Sequence, residues 1–265
     1  VTVAQLSAGD PQLSLGIVGA LLVAALAAGF VDAAVGGGGL IQLPALLLVP
    51  GITPVQALAT NKLGSICGTA TSALTYYRRV HPDLGTALPM AALALVGSAA
   101  GAGCASLLPA QVMRPVIVVA LVAVAVYTLV KPDLGANTDL RFGGRRHRVV
   151  AAGAGAAIGF YDGVLGPGTG SFLLFALVGL LGYAFLEASA KAKIVNAATN
   201  LGALVVFVPQ HAVLWQVGLA MGAANMLGGY LGARTAVAVG SRWVRVFFLV
   251  VVAALVVRLG AQLLG

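Results

Sequence analysis

Gly29-Phe30-Val31-Asp32 runs into Gly36-Gly37-Gly38-Gly39, and about 130 residues later Gly159-Phe160-Tyr161-Asp162 runs into Gly166-Pro167-Gly168-Thr169-Gly170. Both copies interrupt long hydrophobic stretches. Glycine runs and a carboxylate are each unfavourable in lipid, so a doubled occurrence calls for a shared cause. Gly-interrupted apolar segments at matching places in two halves of a membrane chain point to a transport site.

The composition agrees with a bilayer setting. Of 265 residues, 60% are hydrophobic and 8% charged, and the mean hydropathy is +1.03, whereas soluble domains carry about 25% charged residues. At roughly 20 residues per spanning helix, the chain has room for about eight to ten transmembrane or re-entrant segments and no soluble domain. The first 13 residues carry no Lys or Arg, which argues against a secretory signal peptide.

Apolar segments fall at 14–32, 36–49, 55–77, 86–108 and 112–130, and again at 149–163, 167–186, 188–208, 213–237 and 244–264. The two segments flanking each glycine cluster are short and return the chain to the side where it began, as two crossings or one re-entrant hairpin. Each half then adds three full crossings. That odd number inverts the second half relative to the first.

The charges give the orientation. Arg78, Arg79, Lys131, Arg141, Arg145, Arg146, Arg148, Arg234, Arg242 and Arg245 fall on one side, against Arg114 and Arg258 on the other. The positive-inside rule makes the richer side cytoplasmic. Such clusters also touch anionic lipid headgroups, so the net charge of +8 speaks for membrane lipid and not for nucleic acid. The expected fold is therefore an all-α integral membrane protein of two inverted-topology repeats. Residues 1–130 form the N-terminal repeat, 131–148 a basic cytoplasmic loop, and 149–265 the C-terminal repeat.

The duplication extends beyond the glycines. With one inserted residue, Lys62 aligns with Lys193, Gly97 with Gly228, Gly101 with Gly232 and Arg114 with Arg245. Gly97/Gly101 and Gly228/Gly232 stand one helical turn apart, which suits close helix packing in lipid; they are expected to pack and not to touch substrate.

No catalytic constellation is present. His81, His147 and His211 lie in hydrophilic turns, far apart in sequence, and are expected at the surface; Cys67 and Cys104 lack CxxC spacing. No nucleotide-binding pattern, metal set or cofactor motif is found. The intramembrane polar residues are more telling. A lysine inside a bilayer is costly and usually faces a cavity or a partner. Lys62 and Lys193 occupy equivalent sites, so they are read as binding residues, whereas Lys191 is expected to snorkel to the headgroups. Asn61, Ser65, Thr69 and Ser72 form one polar stripe, and Lys193, Asn196 and Asn200 the matching one. Asn61 and Asn196 are read as substrate contacts; for Ser72, contact and interhelical glue stand equal.

Helices broken at glycine leave backbone amides free, and a helix N-terminus carries about half a positive charge. Helices restarting near Leu40 and Ser171 would aim such ends inward, so Gly36–Gly39 and Gly168, Thr169, Gly170 and Ser171 join the lysines in an anion site. Asp32 and Asp162 precede the breaks. They could carry coupling protons, or balance the lysines and cap amides; both readings stay open.

These residues resemble the sulfite exporter TauE/SafE family, also called the toluenesulfonate uptake permease family. The likeness rests on Gly29–Leu40 with Pro44, Ala59-Thr60-Asn61-Lys62 and Tyr76-Tyr77-Arg78-Arg79. In the second half it rests on Gly159–Gly163, Gly166–Gly170, Ala192–Asn196 and Thr199-Asn200. The resemblance implies a multi-pass carrier of the bacterial inner membrane for a small sulfur-containing anion such as sulfite or an organosulfonate. It supplies no catalytic residue, so no enzyme activity is expected. Direction, coupling ion (H+ among the candidates) and homo-oligomer formation stay open. An anion channel and a membrane scaffold are the competing readings.

Neither cysteine has a metal or redox partner in sequence. Replacing Cys67 and Cys104 together with alanine is expected to leave uptake within about a few-fold of the parent, a loss of under ~1 kcal/mol in the barrier; radiolabelled uptake in proteoliposomes measures it.

Overall fold

The computed structural model describes residues 14–105 and 137–264. The segment expected at 112–130, with Arg114 and Lys131, lies outside the described residues, as do the side chains of Arg242, Arg245 and Arg258. Every regular element among the described residues is helical.

Local chemistry sets the boundaries. Helix α1 (Leu15–Val35) starts at Ser14, whose hydroxyl accepts the Ile17 amide, and stops at Gly36 in the left-handed region at φ 86°. After three residues the chain restarts as α2 (Gly39–Leu47). Helix α3 (Pro54–Val80) opens with Pro54 and a reciprocal Thr53–Gln56 capping box, which satisfies two amides that a helix start leaves free. It ends on Arg78 and Arg79, then α4 (Leu84–Cys104) begins at Asp83, whose carboxylate accepts the Gly85 and Thr86 amides.

The second half follows the same plan. Helix α5 (Gly144–Val164) leads to the second glycine cluster, and α6 (Thr169–Phe175) restarts beyond it and runs on as a π-helical turn, Ala176–Leu180. Helix α7 (Phe185–Phe207) precedes α8 (Trp215–Leu264), which turns sharply at Gly240, φ 76°. At 1.5 Å per residue, the nine-residue α2 is ~14 Å long and α6 with its π turn ~18 Å. The hydrocarbon core is about 30 Å thick, so neither crosses it alone.

One boundary differs from the sequence reading. Helix α5 begins at Gly144, so Arg145, Arg146 and Arg148 occupy its first turns instead of a loop. Here the helix carries one buried residue, His147, among exposed arginines. The segments expected at 213–237 and 244–264 are two helical stretches parted by a kink at Gly240, whose φ of 76° and ψ of 178° are not helical.

The packing is inside-out compared with a soluble protein. Lys62, Lys193, Asp162, Gln42, Asn61, Asn200 and Asn225 are buried, while Leu15, Val23, Leu88, Val96, Val205 and Leu219 stand out from the helix faces. A broad apolar exterior marks a surface that something apolar must cover. By length and composition, α1 and α4 are each able to cross a membrane, with mean hydropathies of 2.2 and 1.6 over their best windows.

Helix α1 packs along α8 and α4 along α5, so the first long helix of each half lies against the fourth of the other. Glycine makes these contacts close. A Cβ on Gly97 or Gly101 would collide with the Ala156 and Phe160 backbone, and one on Gly228 or Gly232 with the Leu26 and Phe30 backbone. The expected packing role of these four glycines therefore holds, and their partners lie across the two halves.

The glycine clusters meet in the same way. A side chain on Gly36 would run into the Gly170 backbone, and one on Gly170 into Gly36. The Ser171 amide donates to the Gly36 carbonyl at 3.0 Å, and the Ser171 hydroxyl to the Val35 carbonyl at 3.2 Å.

Gly36→Ala combines a left-handed φ with this collision. It is expected to lower the melting temperature in detergent markedly, by a loss of about 3 kcal/mol or more. Gly153→Ala, where an added Cβ meets nothing within 4 Å, is the control. It should be neutral or stabilising by up to about 1 kcal/mol.

Candidate functional site

The site forms where the two crossed breaks meet α3 and α7. Asp32 lies on the last turn of α1 and Asp162 on the last turn of α5, while Lys62 and Lys193 project from the first half of α3 and α7. Each lysine pairs with the carboxylate of the other half. Lys62 Nζ lies 2.7 Å from Asp162 Oδ1, and Lys193 Nζ 2.8 Å from Asp32 Oδ2. Three of the four side chains are sealed; Asp32 keeps 14% exposure. An unpaired charge at such depth is prohibitive, and mutual pairing with further hydrogen bonds is the way to hold one.

The further donors around the two pairs are unequal. Asp162 Oδ1 also accepts the Thr169 hydroxyl at 2.5 Å, and the Tyr161 hydroxyl pins the neighbouring loop through the Pro167 carbonyl at 2.6 Å. Asp162 Oδ2 and Asn61 Oδ1 are buried with no hydrogen-bond partner. Buried polar atoms are normally satisfied, so each exception calls for an explanation.

Both residues border a polar cavity of about 20 Å³, room for about one water. Its walls include Asp32, Lys62, Gly36, Gly39, Gly168, Thr169, Gly170 and Asn196 from the residues singled out in the sequence. Ser65, Gly166 and Asn200 also contribute. Gly37, Gly38, Ser171 and Lys193 do not line it. Ser171 is committed to the first break, and Lys193 sits behind Asp32 beside Ser189. Ser72 donates to the Gly68 carbonyl of its own helix, away from the cavity.

Gln42 and Asn225 escaped the sequence reading. Asn225 Nδ2 donates to Gln42 Oε1 at 2.6 Å and to the Ala25 carbonyl at 3.1 Å, and Gln42 Nε2 reaches the Asn61 carbonyl at 3.3 Å. This buried chain steadies the backbone beneath Asn61. The signal was available: two amides inside apolar helices.

Two further expectations are corrected. Lys191 does not snorkel. Its ammonium is buried 3.3 Å from Glu187 and 3.8 Å from Asp83, donates to the Asp83 carbonyl at 3.0 Å, and lies over the Tyr183 ring. Partners supplied by the start of α4 make a reach to the headgroups unnecessary. His147 is not a surface histidine; its Nε2 lies 2.9 Å from the Tyr183 hydroxyl, which donates to Thr86 at 3.1 Å. Thr86 in turn donates to Asp83, and with the Gly85 amide it holds that carboxyl below its ordinary range. His81 and His211 are exposed as expected.

An apolar exterior closed around paired buried charges and a polar cavity is the arrangement of a membrane protein with a polar interior site. The family model described as "Sulfite exporter TauE/SafE" matches residues 21–259, and the chain belongs to this family. It is 41% identical over 255 residues to the "Probable membrane transporter protein ORF9" of Sinorhizobium sp, covering 95% of both chains. It is 34% identical over 244 residues to the "Probable membrane transporter protein YfcA" of Escherichia coli K12, covering 92% of this chain and 89% of that one. A "Probable membrane transporter protein" of Haemophilus influenzae is 33% identical over 238 residues, 88% of this chain and 91% of the relative. No solved structure matches the chain.

The buried pairs generate a stability test. Lys62→Ala leaves Asp162 charged and unpaired, and should cost about 3–5 kcal/mol. Lys62→Ala with Asp162→Ala should cost clearly less than the two single changes summed. Thermal unfolding of the three variants in detergent measures the coupling, and additive losses would mean that the pair does not act as a unit.

Proposed function

We propose that this protein is a secondary carrier that moves a small sulfur-containing anion, sulfite, an organosulfonate or a related oxyanion, across the bacterial inner membrane. It works by alternating access between two inverted-topology repeats. The observation that carries the reading is the reciprocal pairing of Lys62 with Asp162 and Lys193 with Asp32 beside one polar cavity. The reciprocal packing of α1 on α8 and α4 on α5 supports a two-fold relation between the repeats. The family's printed description supports the sulfur-containing substrate.

Cavity size favours a carrier over a channel. A space of about 20 Å³ suits a water and is too small for a sulfur oxyanion, so the site is closed and must be opened for substrate to enter. A channel offers a continuous path instead. The family's printed description supports transport over a scaffold. As substrate enters, the lysines exchange a carboxylate for the anion, with Asn61 and Asn196 as amide donors beside them. No chemical transformation is part of this cycle.

Counterflow in proteoliposomes tests the carrier. Vesicles preloaded with sulfite, sulfate, thiosulfate, sulfoacetate or taurine should accelerate saturable uptake of the labelled preferred anion; linear, non-saturating flux would favour the channel. Lys62→Ala and Lys193→Ala are each expected to weaken anion binding roughly ten- to a thousand-fold, about 1.4 to 4 kcal/mol. Arginine should restore it poorly, because a planar guanidinium does not fit a space shaped around an ammonium. Exposed Arg79 is the control, and its alanine variant should bind as the parent does.

A further inference from the structure

The two carboxylates look equivalent in sequence but not in space. Asp162 gathers both of its donors, Lys62 and Thr169, on Oδ1 and leaves Oδ2 bare in a sealed site. Asp32 receives Lys193 on Oδ2 and keeps 14% exposure. Three charges, Lys62, Asp162 and Asp32, border the cavity, and Lys193 behind Asp32 brings the cluster to neutrality, so it holds no surplus charge for an incoming anion. Adding a monoanion to it would leave one uncompensated charge in a low-dielectric space.

Building on the carrier reading above, we infer that one proton enters with the anion and is held on Asp162 Oδ2, not on Asp32. The step balances simply. A proton from water bonds to Oδ2, Asp162 becomes neutral, and the Lys62 ammonium is released to face the anion; the proton leaves when the anion does. Oδ2 is the atom where a proton disturbs no existing hydrogen bond, since both donors sit on Oδ1.

Among the described residues, the charged groups bordering the cavity are Lys62 of α3, Asp162 itself, and Asp32 of α1 with Lys193 of α7 behind it. Helices α4 and α6 carry no charged residue along their length. The further titratable neighbours among the described residues are Tyr161, whose hydroxyl is engaged with the Pro167 carbonyl, and Tyr76, whose hydroxyl donates to the Ala33 carbonyl beside Asp32.

The test uses methanesulfonate and thiosulfate, which are fully ionised at neutral pH and so bring no titratable proton of their own. Calorimetric titration of the purified full chain in buffers of different ionisation enthalpy counts protons taken up per anion bound. The parent is expected to take up about one with methanesulfonate, its affinity weakening by up to about tenfold per pH unit on the alkaline side. Asp162→Glu and Asp32→Glu keep the charge count and should each still take up about one proton, but the infrared band of the carboxylic acid formed on anion binding should shift only in Asp162→Glu. Binding by the parent without proton uptake overturns the inference and leaves the carrier reading standing. A band that shifts in Asp32→Glu instead assigns the proton to the other carboxylate and also overturns it. If Asp162→Glu does not fold, the parent's proton count and the Asp32→Glu band decide between these outcomes. If neither probe binds the parent, the sulfur-anion reading falls and this inference with it.

Discussion

Buried charge needs its opposite within reach, and in this protein each opposite is supplied by the other half of the chain. Lys62 and Asp162 are 100 residues apart in sequence, and Lys193 and Asp32 are 161 apart, yet both pairs close to hydrogen-bonding distance. Neither half can bury its own lysine alone, because the matching carboxylate is not on it. The constraint ties folding to function: the two halves must come together for the charges to be tolerated, and the surface where they come together is the candidate site. Helix breaks at glycine follow from the same need, since they bring a carboxylate at a helix end against a lysine on a neighbouring helix.

The surrounding packing makes this geometry possible. Helices α1 and α8, and α4 and α5, approach until backbone meets backbone, with glycine at the contact points of both partners. Gly29 lies against Asn225 and Gly229, while Gly159 lies against Ala94. In lipid there is little hydrophobic force between helices, so close van der Waals contact has to supply it. A second polar cluster, from His147 through Tyr183, Thr86 and Asp83 to Lys191, joins the starts of α4, α5 and α7. At the equivalent register in the other half, the Thr60 hydroxyl accepts the Leu214 amide at 3.1 Å. One tie is ionic and the other neutral.

Much of the fold was legible because the signals were repeated. The doubled glycine phrase, the aligned lysines and the small-residue pairs each mark a position twice, and the structure uses them in reciprocal contacts. The site residues were legible as a set of polar groups in apolar helices, but their partners were not. Sequence spacing along α3 and α7 identifies Lys62 and Lys193; it says nothing of which carboxylate crosses the interface to meet them. Lys191 was misread because only its own helix was visible, while its partner Asp83 arrives from the start of α4. His147 was misread for a similar reason: a basic stretch looks like a loop until Tyr183 packs over it. Helix α3, which carries Asn61, Lys62 and Ser65, is also the least membrane-like in composition among the described long helices, since its polar stripe lowers its hydropathy.

The Gly36–Gly170 crossing divides the site into a part that cannot vary and a part that can. Where one main chain rests directly on another, there is no side chain to enlarge, shrink or recharge, so this contact fixes spacing without encoding any preference among ligands. Discrimination must reside in the walls that do carry side chains, with Asn61 and Ser65 on α3 and Asn196 and Asn200 on α7. Under the carrier reading proposed above, such a chain can therefore be retuned for a differently shaped anion at those positions while its framework is left untouched.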